Sequence, residues 1–262
     1  MKLAPKTKYT YGELKHFIRP YTEVLMRTIY WYISFVFSVI GALPKLHKAK
    51  RLEKQGKMDE RDAYVQQTAS KWMYHHIKRS GSKVEIIGKE NIPQDETVVY
   101  ICNHQGNFDI PLLMAYIDRP FGFISKIEAK KIPVVVDWMM LMHCVFMDRS
   151  TLKGSAGAII EGIKELKAGH SLVLFPEGTR SKGGPMTEFK APSFKLATKP
   201  GVPIVPVTID GTYKVMEQNK NRIKPATIKL TIHPAIPTAG LTKEELTELP
   251  SKVQAIIAEA LS

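Results

Sequence analysis

Apolar and polar positions divide the chain into two textures. Residues 28–44, TIYWYISFVFSVIGALP, run 17 positions without a charge. A helix that crosses a bilayer needs about 20 apolar residues, with about 17 as the lower limit. Length therefore leaves three membrane arrangements open: spanning, lying in the interface, or dipping into one leaflet. A buried core helix is the fourth reading. Tyr30, Trp31 and Tyr32 cluster at the start of the run, where interface anchors sit. Its length, its late start and the absence of a small-residue cleavage site speak against a removed signal peptide. A polar helical pattern follows to about residue 80, with Trp72, Met73 and Ile77 at helical spacing, and Gly81 stops it.

From residue 82 short β-branched runs alternate with helical stretches. Strands are predicted at 84–87, 97–102, 121–125, 143–147, 171–175, 202–209 and 227–232. Helices are predicted at 110–117, 133–142, 151–168, 188–198 and 242–261. Gly169 and Gly201 stand where helix C-caps are expected. Alternating elements of this kind predict an α/β fold, a largely parallel mixed sheet flanked by helices. Two parts are expected: residues 1–80 as a helical membrane-attachment segment and residues 81–262 as the α/β domain.

Charge adds a partner class. Lys and Arg number 38 against 25 Asp and Glu, a net charge of +13. Lys2, Lys6, Lys8, Lys15 and Arg19 precede the apolar run, and residues 45–57 carry six Lys/Arg and one Glu. Basic residues directly after an apolar segment favour the cytoplasmic face and anionic lipid. The net charge by itself fits nucleic acid, acidic lipid, a phosphorylated substrate or an acidic protein. A mean hydropathy of −0.15 excludes a polytopic membrane protein. Two Cys cannot build a disulfide framework, and both lie in apolar runs.

Two strand ends carry chemistry. The first is Tyr-Ile-Cys-Asn-His-Gln-Gly-Asn-Phe-Asp-Ile-Pro over residues 100–111. Asn103 and His104 arrive at the carboxyl end of a strand, where open α/β sheets form their sites. Five residues of helix rotate by about 500°, leaving His104 and Asp109 about 140° apart. In a strand the odd spacing puts them on opposite faces. Only a turn brings them together, and Gly106-Asn107 is turn chemistry. Asp109 then opens a helix whose first turn tolerates Pro111. There its carboxylate can accept the His104 Nδ1 proton and leave Nε2 basic. The result is a His-Asp dyad without a Ser or Cys nucleophile. The second strand end is Phe-Pro-Glu-Gly-Thr-Arg-Ser over residues 175–181. Gly178 allows positive φ, so backbone N–H groups can converge on an anion, with Thr179, Arg180 and Ser181 adding donors. Neither a Walker A loop nor a dinucleotide glycine motif occurs, and no His pair has metal-ligand spacing with a carboxylate beside it, so no metal site is expected.

These stretches resemble the glycerolipid acyltransferases that carry an H-x4-D motif, most closely the bacterial 1-acylglycerol-3-phosphate acyltransferase group. Residues 123–128, FISKIE, are similar to the family's second motif, and residues 202–207, VPIVPV, to its fourth. Met147-Asp148-Arg149 resembles an extra arginine between the second and third. The resemblance covers about residues 80–235. Gly106 departs from it, since the family often has Ser there. The resemblance implies transfer of an acyl group from a thioester, on acyl carrier protein or CoA, to the free sn-2 hydroxyl of lysophosphatidate at a membrane surface. His104 would be the general base and Asp109 its orienting partner. Lys126, Arg149, Glu177, Gly178, Thr179 and Arg180 would hold the phosphate, with Asn103, Gly106 and Ser181 supporting the motifs. Backbone N–H groups near Gly106 or Gly178 would stabilise the oxyanion. No metal and no cofactor beyond the thioester co-substrate are expected. The alternatives are the same chemistry on glycerol-3-phosphate or a lyso-aminolipid, a basic nucleic-acid-binding protein, and a membrane adaptor. The chain lacks zinc-finger spacing and an RNP-like motif, so nucleic acid is not the expected partner.

Overall fold

The computed structural model describes residues 11–261, with side chains from residue 21. Lys2, Lys6 and Lys8 fall outside the described residues, as do the side chains of Lys15 and Arg19. Three helices come first: α1 (Tyr11–Gly41), α2 (Leu43–Lys54) and α3 (Met58–Ser80). The α/β part then runs β1 (Lys83–Ile87), β2 (Val99–Cys102), α4 (Asp109–Tyr116), β3 (Gly122–Lys126), α5 (Val135–Leu141), β4 (Val145–Met147), α6 (Leu152–Lys167), β5 (Leu172–Leu174), α7 (Lys195–Thr198), β6 (Ile204–Asp210), β7 (Thr227–Ile232) and α8 (Lys243–Glu259).

The seven strands form one sheet in the order β1-β7-β6-β2-β5-β3-β4. The five strands β6, β2, β5, β3 and β4 run parallel, so their carboxyl ends share one edge. β7 is antiparallel to β6, and β1 is parallel to β7. The mixed, largely parallel sheet is the one the sequence pattern predicts.

Side chains alternate across the sheet as strand geometry requires. Tyr100 and Cys102 of β2 enter a core with Trp31, Ile77, Phe108 and Leu112. Val99 and Ile101 enter the opposite core with Leu166, Leu196, Val253 and Ile257. Helices α1, α3 and α4 thus cover one face and α6, α7 and α8 the other. The Thr242 hydroxyl accepts from the Glu245 N–H at the start of α8, and Glu245 returns the bond to the Thr242 N–H.

Boundaries depart from the sequence pattern where backbone chemistry intervenes. The helix expected over 188–198 is confined to a 3-10 turn, Ala191–Phe194, and the short α7. Pro192 has no N–H to continue a helix, and the Phe189 and Lys190 N–H groups are drawn to Gln254 Oε1 and the Pro176 carbonyl. The strand expected from 143 begins at Val145, because His143 is held at φ 57°.

Helix α1 is anchored on one side only. Trp31 is buried, donates Nε1–H to the His76 carbonyl at 3.0 Å, and lies 5.4 Å from the Phe108 ring. Ser38 bonds His76 Nε2 at 2.9 Å and accepts from Trp72 Nε1 at 2.8 Å. The other side leaves Leu25, Met26, Ile29, Ile33, Val36, Phe37 and Ile40 exposed. Helical chain over Tyr21–Lys54 is long and apolar enough to cross a membrane.

Candidate active site

The site forms at the shared carboxyl edge of the parallel strands. β2 delivers Asn103 and His104, β5 delivers residues 175–181, β3 ends on Lys126, and Arg149 follows β4. The sheet order therefore places the third motif beside His104 and the cations Lys126 and Arg149 beyond it.

Asp109 opens α4, fully buried, where the helix N-terminus favours a carboxylate. Its Oδ2 accepts from His104 Nδ1 at 2.5 Å, from the Gln105 N–H at 2.7 Å and from the Gly106 N–H at 3.0 Å. Its Oδ1 accepts the Thr212 hydroxyl at 2.5 Å. Four donors therefore converge on one buried carboxylate. With Nδ1 bonded to the carboxylate, Nε2 is the ring nitrogen left for chemistry. The imidazole stacks on Phe175 at 4.1 Å between centroids and keeps 19% of its side chain exposed. The turn predicted between His104 and Asp109 is present, and it unites the two side chains.

Asn103 is a brace. Its Nδ2–H donates to the Ile209 carbonyl at 2.8 Å, and its Oδ1 accepts the Ile209 N–H at 2.7 Å, tying β2 to β6 beyond their ladder. Gln105 makes the next tie, accepting the Gly211 N–H at 2.8 Å. The Ser181 N–H donates to the His104 carbonyl at 2.8 Å, so the first and third motifs share a backbone bond.

Glu177 departs from its expected place among the phosphate ligands. It is buried and turned inward. Its Oε1 accepts the His104 N–H at 2.6 Å, and its Oε2 accepts the Thr187 N–H at 2.9 Å and hydroxyl at 3.2 Å. A carboxylate with both oxygens committed to donors holds a turn and repels an anion. The glycine amides are also committed: Gly106 N–H to Asp109, and Gly178 N–H to the Phe175 carbonyl at 3.1 Å. The N–H groups of these two glycines are therefore taken up within the turns themselves.

Cations do converge on the third motif. Arg149 donates to the Gly178 carbonyl, and partial burial lowers its pKa. A Cβ at position 178 would lie 2.9 Å from Lys190 Nζ and 3.9 Å from an Arg149 nitrogen, so both groups crowd this glycine, itself at φ 72°. Lys126 is exposed at the end of β3, and Thr179 is exposed beside the half-buried Arg180. Arg180 donates to Asn107 Oδ1 and lies 3.6 Å from Glu217 Oε1.

Thr212, Glu217 and Lys190 escaped the sequence reading. Thr212 and Glu217 lie between β6 and β7, over a hundred residues from Asp109 and Asn107, and form no spaced motif. Lys190 follows the third motif by too loose a spacing to mark it. Cys102 is inert core: burial pushes its thiol pKa well up.

Away from this edge the chain gathers Asp62, His143 and His170, whose donor atoms lie within 4.8 Å of one another. Both imidazole Nδ1 atoms face Glu165 Oε2, at 3.1 and 2.8 Å. Arg61 already pairs with this cluster, donating to His143 Nε2 at 3.0 Å and to Asp62 Oδ1 at 2.6 Å. The spacing of these residues in sequence had given no sign of the cluster.

Comparison with known proteins decides the family. The acyltransferase profile matches residues 83–210. A 1-acyl-sn-glycerol-3-phosphate acyltransferase of Borreliella burgdorferi is 32% identical over 70% of this chain and 73% of its own length. The chain belongs to this acyltransferase family. A member from Chlamydomonas reinhardtii is 38% identical over 59% of this chain; the matched region spans about half of that longer relative, 47%. The crystal structure of the 1-acyl-sn-glycerophosphate acyltransferase PlsC from Thermotoga maritima superposes with a TM-score of 0.80, at 31% identity, covering 91% of this chain and 94% of that one. The likeness extends through the helical N-terminal part as well as the sheet. The resemblance read from the motifs is therefore correct, and the chain is an acyltransferase.

Proposed function

We propose that the protein transfers an acyl group from a thioester to the free sn-2 hydroxyl of 1-acylglycerol-3-phosphate, forming phosphatidate. The observation that carries this reading is the 2.5 Å contact between His104 Nδ1 and a buried, fully bonded Asp109, which leaves Nε2 available at a sheet edge that also carries Arg149, Arg180 and Lys190. His104 Nε2 removes the hydroxyl proton as the oxygen attacks the thioester carbonyl. The carbon–sulfur bond breaks, and the departing thiolate takes the proton back from His104. No acyl-enzyme forms, which fits a site whose neighbouring Cys102 is buried and inert. Arg180, Arg149, Lys126 and Lys190 supply positive charge for the acceptor phosphate.

The exposed apolar side of α1 would lie in the lipid, with the basic α2 at the cytoplasmic surface beside it. Trp31 against Phe108 then holds the catalytic turn close to that lipid, where the acceptor resides. The net charge of +13 suits either an acidic acyl carrier protein or the phosphates of acyl-CoA as donor.

The test is transfer of a labelled acyl group to 1-acylglycerol-3-phosphate by detergent-solubilised protein, with each donor offered separately. Phosphatidate formed by the wild type and lost in His104→Ala is the expected result. Product with glycerol-3-phosphate or a lyso-aminolipid only would overturn the choice of acceptor.

A further inference from the structure

Glu217 lies in the connection between β6 and β7, outside every motif of the family resemblance, yet its carboxylate reaches the catalytic turn. Its Oε1 accepts the Asn107 N–H at 2.7 Å and lies 3.6 Å from Arg180. The side chain is 5% exposed. Its Oε2 is buried with no hydrogen-bond partner among the described residues. A buried carboxylate with one bare oxygen is costly unless a cation compensates it. Arg180 is the cation that the structure places there.

Two neighbours fit this arrangement. A Cβ at position 106 would lie 2.5 Å from Glu217 Oε2 and 2.9 Å from its Cδ, so Gly106 leaves the room the carboxylate occupies. Asn107 Nδ2–H donates to Met216 Sδ at 3.3 Å, which turns Asn107 Oδ1 towards Arg180. One guanidinium nitrogen is thereby held between Asn107 and Glu217. The rest of the planar fork, with its remaining N–H donors, stays available to an oxyanion.

We propose that Glu217 is a positioning residue for acceptor binding: it fixes Arg180 against the His104–Asp109 turn, so that a phosphate gripped by Arg180 is in register with the base. The proposal rests on the reading that the acceptor carries a phosphate. Fixing a long side chain before binding removes an ordering cost that otherwise weakens affinity by about threefold to tenfold. The benefit is to acceptor binding and leaves the donor untouched.

The experiment compares wild type, Glu217→Gln, Arg180→Ala and the double variant. Gln keeps an oxygen for the Asn107 N–H and removes the charge. Glu217→Gln is expected to raise the KM for 1-acylglycerol-3-phosphate by about threefold to tenfold, with donor KM and kcat within about twofold. In the Arg180→Ala background the same change should add less than about twofold, because its target is gone. An acceptor KM that stays constant or falls in Glu217→Gln overturns the proposal, as does an equal effect with and without Arg180. A second arm needs no substrate. Phenylglyoxal should modify Arg180 faster in Glu217→Gln than in wild type, with Arg149 unchanged, as read by peptide mapping. Equal Arg180 rates overturn the positioning role. A wild type that ignores 1-acylglycerol-3-phosphate sinks the acceptor assignment instead, and the modification rates then decide the role of Glu217.

Discussion

Thr212 shows how far the His104–Asp109 pair depends on residues outside the sequence motifs. Its hydroxyl is the sole donor to Asp109 Oδ1 among the described residues, at 2.5 Å. Thr212→Val keeps the shape and leaves that oxygen bare. A missing hydrogen bond to a charged group is worth about 1.5–3 kcal/mol, so kcat should fall by about tenfold to a hundredfold, with acceptor KM little changed and Thr212→Ser restoring activity. Steady-state kinetics on the three proteins checks this. Glu177→Gln turns an amide N–H2 towards existing N–H donors and should lower Tm by roughly 5 °C in a thermal melt. His104 and Asp109 were legible because a fixed spacing, a turn and a strand end converge within ten residues. Thr212 and Glu217 were not: each is an ordinary residue in a loop, and each reaches the turn across a long separation, 103 residues to Asp109 and 110 to Asn107.

Among the elements, α1 serves two environments. Its exposed stripe suits lipid, while Trp31 and Phe35 belong to the protein interior. Deleting the segment would therefore strip the core as well as the proposed attachment. Ile33→Glu with Phe37→Glu is the cleaner test, since both side chains are exposed. The pair should reduce sedimentation with vesicles at least about tenfold and leave the circular dichroism spectrum unchanged. The seam between α1 and α3 is also sensitive to acid. Burial, then the nearby Arg79 and His75, lower the His76 pKa to about 4. A histidine depressed in the native state binds its proton more readily when unfolded. Stability is therefore intact above about pH 6.5 and is lost as pH falls towards 4. Over that window wild type should lose up to about 3 kcal/mol relative to His76→Gln, measured by denaturant titration across pH. Element type was legible in all seven strands, because β-branched runs between turns carry a local signal. Boundaries at Pro192 and His143 were not, because long-range acceptors and a left-handed backbone decided them.

For the whole molecule, the surplus of positive charge predicts salt-sensitive attachment. Binding to vesicles containing anionic lipid should weaken as salt rises from about 0.05 to about 0.5 M, while attachment to zwitterionic vesicles, driven by the apolar stripe, holds. Cosedimentation at matched lipid concentration separates the two. The layered architecture was legible from alternation of elements alone. The reversal of β7 was not, since strand direction leaves no mark on hydrophobic pattern. That reversal keeps the chain at the catalytic edge after β6, where residues 211–226 turn back over the site. It also sets an order of assembly. During synthesis His104 and Asp109 emerge long before the partners that fix them, and the polypeptide must grow 103 residues past Asp109 before Thr212 exists. The turn between His104 and Asp109 thus lacks its Thr212 and Glu217 partners until the chain has been made past β6.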